Sequence, residues 1–352
     1  MDHKQKTKRN MPNETKTVLI NYDFAPSSQS SREEIAGTDK RNLWCAILRD
    51  NLKSHGIKLL FPNDIRGLHE FKVDLEIHVN AGIRRSSARH TIGLFMETPE
   101  IAPQNNVSSC RNYDKVISFN PNLNEAGNHV MAELPCWDAD DLSQAFEQNR
   151  DYAPNTFSMI AANKNFKKSV TYKDLYKERI KVIEYFEALQ PQNFKLFGHG
   201  WNVRRELLAL PRLQKISRKL GISGNLRSYE GVCISKKQVI KNSTFNICYE
   251  NCVYPGYLSE KVFDAILGGA IPIYWGHHEI PQTLKASVID ASHFKSPKDL
   301  IQHCCQIDIS KRQQFITNGK LFLANHGPLH SHQIYAKIII SCIIEIFSEN
   351  YN

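Results

Sequence analysis

Residues 244–276 read TFNICYENCVYPGYLSEKVFDAILGGAIPIYWG, and this segment is the most informative one for the fold. The apolar run at its start predicts a buried strand, Pro255-Gly256 predicts a turn, and residues 270–274 predict a second buried strand. Between the strands, Ser259 is a favourable helix N-cap, and Glu260 suits the first turn of a helix. A strand, a helix and a strand in this order are the repeating unit of a parallel sheet.

Lys261 is out of place in that helix, because a cation next to the positive end of the helix dipole is mildly unfavourable. One interpretation is that an anion occupies this end of the helix and that Lys261 helps to hold it. The other is that Lys261 pairs with Asp264 one turn further on, which contributes a few tenths of a kcal/mol. The residues of the helix alone leave both interpretations open.

The alternation of strands and helices extends through the chain in both directions. Helical periodicity marks residues 43–56 and 172–189. Strands are predicted at residues 17–22, 57–61, 73–79, 91–96, 115–119, 156–161, 194–197, 244–249, 270–274 and 287–290. This pattern predicts an α/β protein with two doubly wound, Rossmann-like domains that face each other across a cleft. In such sheets ligands collect at the carboxyl ends of the strands.

Four segments follow from this pattern. Residues 1–15 are basic and polar, and we expect them to be disordered. Residues 16–154 form the first domain and residues 155–330 the second. Residues 331–352 contain a helix with apolar residues almost all round, which we expect to pack into the core and to cross back to the first domain.

The composition excludes several classes of protein. The 352 residues are 41% hydrophobic and 23% charged, as in a soluble globular protein and unlike a disordered or collagen-like chain. The nine cysteines contain no Cys-x-x-Cys, and no apolar stretch reaches the roughly 20 residues of a membrane helix. A soluble cytoplasmic protein without a structural metal or disulfides is therefore expected.

The positive charge favours anionic partners. Lysine and arginine exceed the acidic residues by 45 − 36 = 9, and this excess is spread over short runs rather than concentrated in one patch. No nucleic-acid-binding motif is present, so we expect a phosphate-bearing substrate or an anionic lipid surface rather than nucleic acid.

Three motifs in fixed order resemble the donor-binding signature of the α1,3/α1,4-fucosyltransferase family. They are Tyr-Glu-Asn at 249–251, Tyr-Leu-Ser-Glu-Lys at 257–261 and Ile-Pro-Ile-Tyr-Trp-Gly at 271–276, and together they span about 33 residues. Ser259 stands where the family usually has threonine. The resemblance implies a GT-B fold, an inverting reaction and a GDP-fucose donor bound by the second domain. It implies that the first domain lies on the acceptor side, and no metal or other cofactor is expected.

The resemblance also implies roles for individual residues. Glu260 corresponds to the acid that binds the ribose, and Lys261 to a contact of the diphosphate. Asn251 and Tyr257 would contact the diphosphate or the sugar. Glu250 lies beside them and is included among the donor-binding candidates, although the motif gives it no defined role.

Two further donor-site candidates lie upstream. Arg179 falls on the apolar stripe of a predicted helix, and a buried charge there needs a partner. The partner is either an acid elsewhere in the fold or, as the resemblance implies, the donor diphosphate. Asn163 belongs to Ala161-Ala162-Asn163-Lys164, which loosely resembles the Ser-Asn motif at a strand end of the family.

Glu97 is the candidate general base. It follows a predicted strand in Met96-Glu97-Thr98-Pro99, which resembles the Glu-Ser-Pro element of the family. An inverting transfer needs a carboxylate to take the proton of the acceptor hydroxyl. Glu100 is the competing candidate, and a capping or surface role for Glu97 is the structural alternative. The histidines at 326, 330 and 332 lack a nearby acidic cluster, so no metal site is predicted there.

The sequence therefore predicts a metal-independent glycosyltransferase that moves L-fucose from GDP-fucose to a hydroxyl of a glycan, at the 3-position of GlcNAc or glucose. A glycan or lipopolysaccharide is the expected acceptor, with peripheral contact of the basic surface to the anionic inner membrane face. One alternative is a related transferase with another GDP- or dTDP-linked deoxy or amino-deoxy sugar. The other is a catalytically silent binding protein that keeps the fold.

Overall fold

The computed structural model describes most of the chain. The described residues are 15–22, 30–32, 34, 42–65, 72–80, 88–138, 141, 155–166, 171–189, 191–208, 210–220, 224 and 226–349. Nearly all of the N-terminal segment that the sequence predicts to be disordered lies outside these ranges.

Two parallel sheets form the framework. The first has six strands in the order β2-β1-β3-β4-β5-β6, and the second has five in the order β11-β10-β9-β7-β8. The strands are β1 Lys16–Asn21, β2 Ile57–Leu60, β3 Leu75–Val79, β4 His90–Phe95, β5 Lys115–Ser118, β6 His129–Met131, β7 Phe157–Ile160, β8 Phe194–Phe197, β9 Phe245–Tyr249, β10 Ile271–Trp275 and β11 Ile289–Asp290. The predicted α/β class with two doubly wound sheets is confirmed.

Strand β6 is the element that the sequence pattern missed. It has three residues, pairs in parallel with β5 and contains no fully buried side chain. A strand this short at a sheet edge leaves no apolar run to recognise.

The helices connect and cover the strands. They are α1 Leu43–Ser54, α2 Val107–Cys110, α3 Leu175–Leu189, α4 Pro211–Lys219, α5 Lys236–Lys241, α6 Glu260–Leu267, α7 Gln282–Lys285, α8 Pro297–Gln306, α9 Ile309–Asn325 and α10 His332–Ser348. Residue ranges 62–64, 121–126, 191–193, 205–207, 291–293 and 327–330 form short 3₁₀ turns. No helix among the described residues is both long and apolar enough to span a membrane.

Each sheet has its own apolar core. In the second domain, Phe186 of α3 stacks on Phe194 of β8 at 4.4 Å, and Phe157 of β7 stacks on Phe245 of β9 at 5.0 Å, between ring centroids. The core of the first domain surrounds Trp44 of α1. All nine cysteines are free thiols, so the cores are held by packing rather than by disulfides.

The last helix, α10, belongs to the core of the first sheet although it follows the second sheet in the chain. Tyr335, Ile339 and Ile343 are buried in the same cluster as Trp44, and the Tyr335 and Trp44 rings meet edge to face at 5.7 Å. The crossing is fixed where the indole of Trp137 donates to the carbonyl of Gly327 at 2.6 Å. The chain thus returns to the first domain at its end.

Candidate active site

Helix α6 begins over a buried carboxylate. The Glu250 side chain, at the end of β9, has no solvent exposure and accepts hydrogen bonds from the backbone N–H of Ser259 at 2.8 Å and from its hydroxyl at 2.7 Å. Ser259 occupies the N-cap position, as predicted, but its hydroxyl makes no capping bond within the helix. The hydroxyl serves Glu250 instead, because a buried carboxylate needs every available donor.

Lys261 completes this cluster. Its ammonium group donates to Glu250 at 2.9 Å and to the Ser259 hydroxyl at 2.8 Å. Burial acts to lower the pKa of Lys261, but Glu250 and Glu260 outweigh it, so the pKa is raised and the side chain stays charged. The helix spacing allowed a pair between Lys261 and Asp264. This prediction is wrong, because Asp264 pairs with Lys236 at 2.8 Å instead.

Arg179 is the second buried cation of the site. Its side chain stacks on the ring of Tyr176 at 4.9 Å, and its Nη2 donates to the carbonyl of Tyr249 at 2.5 Å and to Oδ1 of Asn251 at 3.1 Å. Both acceptors are neutral. No carboxylate among the described residues lies within ion-pair distance of the guanidinium, and Nε and Nη1 have no hydrogen-bonding partner there. Burial lowers the pKa of Arg179, and Tyr176 and Glu250 offset this only in part.

Asn251 and Tyr257 connect the two domains. The side-chain amide of Asn251 donates to the Tyr257 oxygen at 3.1 Å, and the Tyr257 hydroxyl donates to Oε2 of Glu97, also at 3.1 Å. Glu97 follows β4 in the first domain, whereas Asn251 and Tyr257 follow β9 in the second. The structure therefore brings Glu97 and Arg179 into one hydrogen-bonded chain at the carboxyl ends of two facing sheets.

The backbone of Glu97 is held by a residue that the sequence analysis missed. Asn80, at the end of β3, accepts from the N–H groups of Met96 and Glu97 at 2.8 and 3.0 Å. Asn105 donates to the carbonyl of Glu97 at 2.8 Å and to Oδ1 of Asn80 at 2.9 Å. Asn80 also has a positive φ of 49°, an unusual backbone conformation that clusters at functional sites. An asparagine directly after a predicted strand was the available signal.

The two candidate bases differ in their surroundings. Burial raises the pKa of Glu97, Lys261 and the hydrogen bond from Tyr257 lower it, and Glu260 raises it. Burial also raises the pKa of Glu100, but its hydrogen-bonding neighbour is Thr98, and its Oε2 is buried with no partner among the described residues. Of the two glutamates, only Glu97 belongs to the series of hydrogen bonds that leads to Arg179.

Glu260 and Asn163 lie at the edges of the cluster. The partly exposed Glu260 carboxylate is 3.8 Å from the ammonium group of Lys236. The side-chain amide of Asn163 donates to the carbonyl of Gly200 at 2.8 Å and to Gln214 at 3.0 Å. It holds the loop after β8, and no hydrogen bond links it with the other predicted residues. Within the described ranges, no three His, Cys, Asp or Glu side chains group together as a metal site.

This architecture is that of the two-domain GT-B glycosyltransferases. An α-glucosyltransferase solved with UDP and a 13-mer DNA superposes with a TM-score of 0.55 at 11% identity, covering 94% of this chain and 99% of that one. The GT-B fold predicted from the sequence is thereby confirmed.

The similarity to a known family lies in part of the second domain. Residues 207–316 match the model described as glycosyltransferase family 10 (fucosyltransferase), C-terminal part, so the resemblance predicted from residues 244–276 is confirmed. The α-(1,3)-fucosyltransferase FucT of Helicobacter pylori is 30% identical over 110 residues, 31% of this chain and 22% of that protein. The putative fucosyltransferase R654 of Acanthamoeba polyphaga mimivirus is 25% identical over 278 residues, 74% of this chain and 42% of that protein. The chain thus spans less than half of either relative.

Proposed function

We propose that this protein is an inverting fucosyltransferase that moves L-fucose from GDP-fucose to a hydroxyl of a glycan, at the 3-position of GlcNAc or glucose. The observation that carries this proposal is the pair of cations, Arg179 and Lys261, that lies in one cluster with Glu97 of the opposite domain. The family match of residues 207–316 supports a sugar-nucleotide donor.

The donor diphosphate would offset the repulsion between the positive charges of Arg179 and Lys261. Arg179 and Lys261 are close enough for their like charges to interact unfavourably, and Arg179 has no carboxylate partner among the described residues. Glu260, in the first turn of α6, would bind the ribose hydroxyls, and Asn251 and Tyr257 would contact the diphosphate or the sugar.

The transfer needs few chemical steps. The acceptor hydroxyl attacks the anomeric carbon from the face opposite to GDP, while a carboxylate oxygen of Glu97 takes the hydroxyl proton. The bond to the diphosphate oxygen breaks, and GDP leaves with its negative charge stabilised by Arg179 and Lys261. Glu97 suits this role because its raised pKa makes it a better proton acceptor than an exposed glutamate.

A transfer assay tests the proposal. Purified protein is incubated with GDP-[¹⁴C]fucose and oligosaccharides that end in GlcNAc or glucose, and the linkage of the product is determined by NMR. We expect α-linked fucose at the 3-position. Transfer from another GDP- or dTDP-linked deoxy sugar but not from GDP-fucose would identify a related transferase with a different donor. No turnover with any donor would favour the catalytically silent binding protein.

We propose further that the reaction needs no metal ion or other cofactor. Two side-chain cations, Arg179 and Lys261, would supply the positive charge that many nucleotide-sugar enzymes take from a divalent metal. The prediction is that transfer continues at an unchanged rate in excess EDTA. A loss of activity that Mg²⁺ or Mn²⁺ restores would contradict it.

Helix α4 supports the proposed peripheral contact with an anionic membrane, at the cytoplasmic face. Its apolar residues Leu213, Ile216 and Leu220, spaced as one helical face, are 46%, 51% and 68% exposed. Each of these apolar residues is directly preceded by an exposed basic residue, namely Arg212, Lys215 and Lys219. An apolar face beside a basic one is the pattern of a helix that lies in a lipid interface. A glycan acceptor linked to lipid would place the enzyme at such a surface.

Cosedimentation with vesicles tests this contact. Phosphatidylglycerol-containing vesicles should carry the protein into the pellet, and neutral vesicles should carry much less. The double variant Leu213→Ser, Ile216→Ser should stay in the supernatant, whereas Leu189→Ser, an equally exposed leucine at the end of α3, should pellet like the original protein. Equal recovery of the protein with and without anionic vesicles would exclude the membrane contact.

A further inference from the structure

The hydrogen bonds between Arg179 and Glu97 can run in one direction only. A guanidinium group donates and never accepts, so the carbonyl oxygen of Asn251 must face Arg179. The amide NH₂ of Asn251 therefore faces Tyr257 and donates to its oxygen. This leaves the Tyr257 O–H to donate to Glu97. Burial and the neighbouring Glu97 raise the pKa of Tyr257, so its hydroxyl stays protonated at neutral pH.

The Glu97 carboxylate depends on this bond for its orientation. Asn80 and Asn105 hold the backbone of the residue but do not touch the carboxylate. The charges of Lys261 and Lys164 lower the pKa of Glu97, and that of Glu260 raises it, yet none of the three hydrogen-bonds to its carboxylate. Among the described residues, Tyr257 is the only side chain that donates to the Glu97 carboxylate.

We infer that Tyr257 is a positioning residue for the base: it holds Oε2 of Glu97 and leaves Oε1 to take the proton of the acceptor hydroxyl. Asn251 and Arg179 hold the Tyr257 hydroxyl in turn. This inference rests on the proposed function, because it assumes that Glu97 is the base. Its consequence is that side chains of the donor-binding domain also orient the base, so Glu97 is ready only while the second domain is docked on the first.

The variant Tyr257→Phe tests the inference, and Tyr254→Phe is its matched control. Tyr254 lies in the same loop, and its hydroxyl also bonds across the domain boundary, where it accepts from the side chain of Asn120 at 2.9 Å. Each variant thus loses one hydroxyl that bonds across the domain boundary. Only Tyr257→Phe loses a bond to Glu97.

The expected results separate positioning from donor binding. The hydrogen bond from Tyr257 lowers the pKa of Glu97, so its loss should raise that pKa. In Tyr257→Phe the acidic limb of kcat/KM should move up by about one pH unit, and kcat should fall about tenfold or more. Tyr254→Phe should keep the original limb. An unmoved limb in Tyr257→Phe with only a higher KM for GDP-fucose would overturn the inference and leave Tyr257 as a donor contact.

A second measurement does not need turnover. Proteins labelled with ¹³C at the glutamate carboxyl are titrated by NMR, and the Glu97 resonance is assigned by its loss in Glu97→Gln. Glu97 should titrate at higher pH in Tyr257→Phe than in the original protein or in Tyr254→Phe, and equal midpoints would overturn the inference even if no donor were turned over. Asn251→Ala removes the hydrogen bond to the Tyr257 hydroxyl. It should shift the midpoint of Glu97 in the same direction, but by less. Failure of the proposed function would instead appear as an original protein that transfers no sugar.

Discussion

Glu250 and Lys261 form a charge pair at the start of α6. Glu250 reaches Lys261 from the end of β9, eleven residues earlier in the chain. The rules for helix spacing compare Lys261 only with its neighbours on the same helix, so they do not predict this pair. The order of the motifs predicted that these residues lie close together, whereas their hydrogen-bonding partners depend on how strand and helix pack.

The pair leads to a prediction about stability. In Glu250→Gln the charge of Lys261 is left buried without its counterion, so the free energy of unfolding should fall by about 3 kcal/mol. GDP should restore more stability to this variant than to the original protein, because its diphosphate supplies the missing negative charge. Thermal unfolding with and without GDP measures both effects.

Asp264→Asn is the control for Glu250→Gln. Asp264 lies on the same helix, but its partner Lys236 is 39% exposed, so the loss of this pair should be much smaller. Equal losses in the two variants, or no added protection of Glu250→Gln by GDP, would contradict the proposed site for the diphosphate.

The choice between Glu97 and Glu100 is also a question of single residues. Glu97→Gln should lower kcat by about 100-fold or more and leave the affinity for GDP-fucose nearly unchanged, because it removes the base and not a donor contact. Glu100→Gln should stay within a few-fold of the original rate. Steady-state kinetics and donor titrations measure the two effects, and the reverse order would make Glu100 the base.

The pH dependence follows from the same carboxylate. A general base works when it is deprotonated, so the rate should fall as the pH drops through the pKa of Glu97. Because burial raises this pKa, the fall should begin at a higher pH than for an ordinary glutamate, whose pKa is about 4.3. A rate that stays constant down to that pH would exclude Glu97 as the base.

At the scale of elements, the loop between β9 and α6 does more than connect them. Pro255-Gly256 predicted a turn there, and Gly256 indeed has a positive φ of 72°. What the sequence could not predict is that the turn docks on the first domain. A Cβ at Gly256 would lie 2.6 Å from the carbonyl oxygen of Phe119, and the Tyr254 hydroxyl accepts from Asn120. Such contacts between residues about 130 positions apart leave no pattern in a single sequence.

The docking of this loop predicts an asymmetry between two glycines. Gly127 has a similar φ of 78°, but a Cβ there would meet nothing within 4 Å. Gly127→Ala should therefore cost only the backbone strain, about 1 kcal/mol. Gly256→Ala should cost about 1–3 kcal/mol more, because the backbone of Phe119 must move. It should also lower kcat, since the same loop carries Tyr257 to Glu97. Denaturant unfolding and the transfer assay check both effects, and equal behaviour of the two variants would contradict the docking.

At the scale of the whole molecule, the two sheets were predictable because their central strands are continuous apolar runs. The sequence pattern did not fix the path of the last helix, because apolar residues almost all round fit any buried position. The structure places α10 against α1 and the first sheet, with Ile343 fully buried and Ile344 39% exposed. Helix α10 therefore stabilises the first domain.

Two neighbouring isoleucines test this arrangement. Ile343→Ala should lower the free energy of unfolding by about 2–5 kcal/mol, whereas Ile344→Ala should change it by less than about 1 kcal/mol. Urea denaturation of the full chain, followed by the fluorescence of Trp44 and the other tryptophans, measures the difference. Similar losses for both variants would mean that α10 does not bury the face described here.

The most direct test of the donor site is a calorimetric titration of the purified protein with GDP-fucose, beside GDP-mannose and a dTDP-linked sugar. We expect selective binding of GDP-fucose, weakened about tenfold or more in Lys261→Ala, because a charge-assisted contact with the diphosphate is lost. Lys285→Ala, an exposed lysine on α7, should bind as the original protein does. Tight binding of the dTDP-linked sugar in place of GDP-fucose, or an affinity that Lys261→Ala leaves unchanged, would contradict the account.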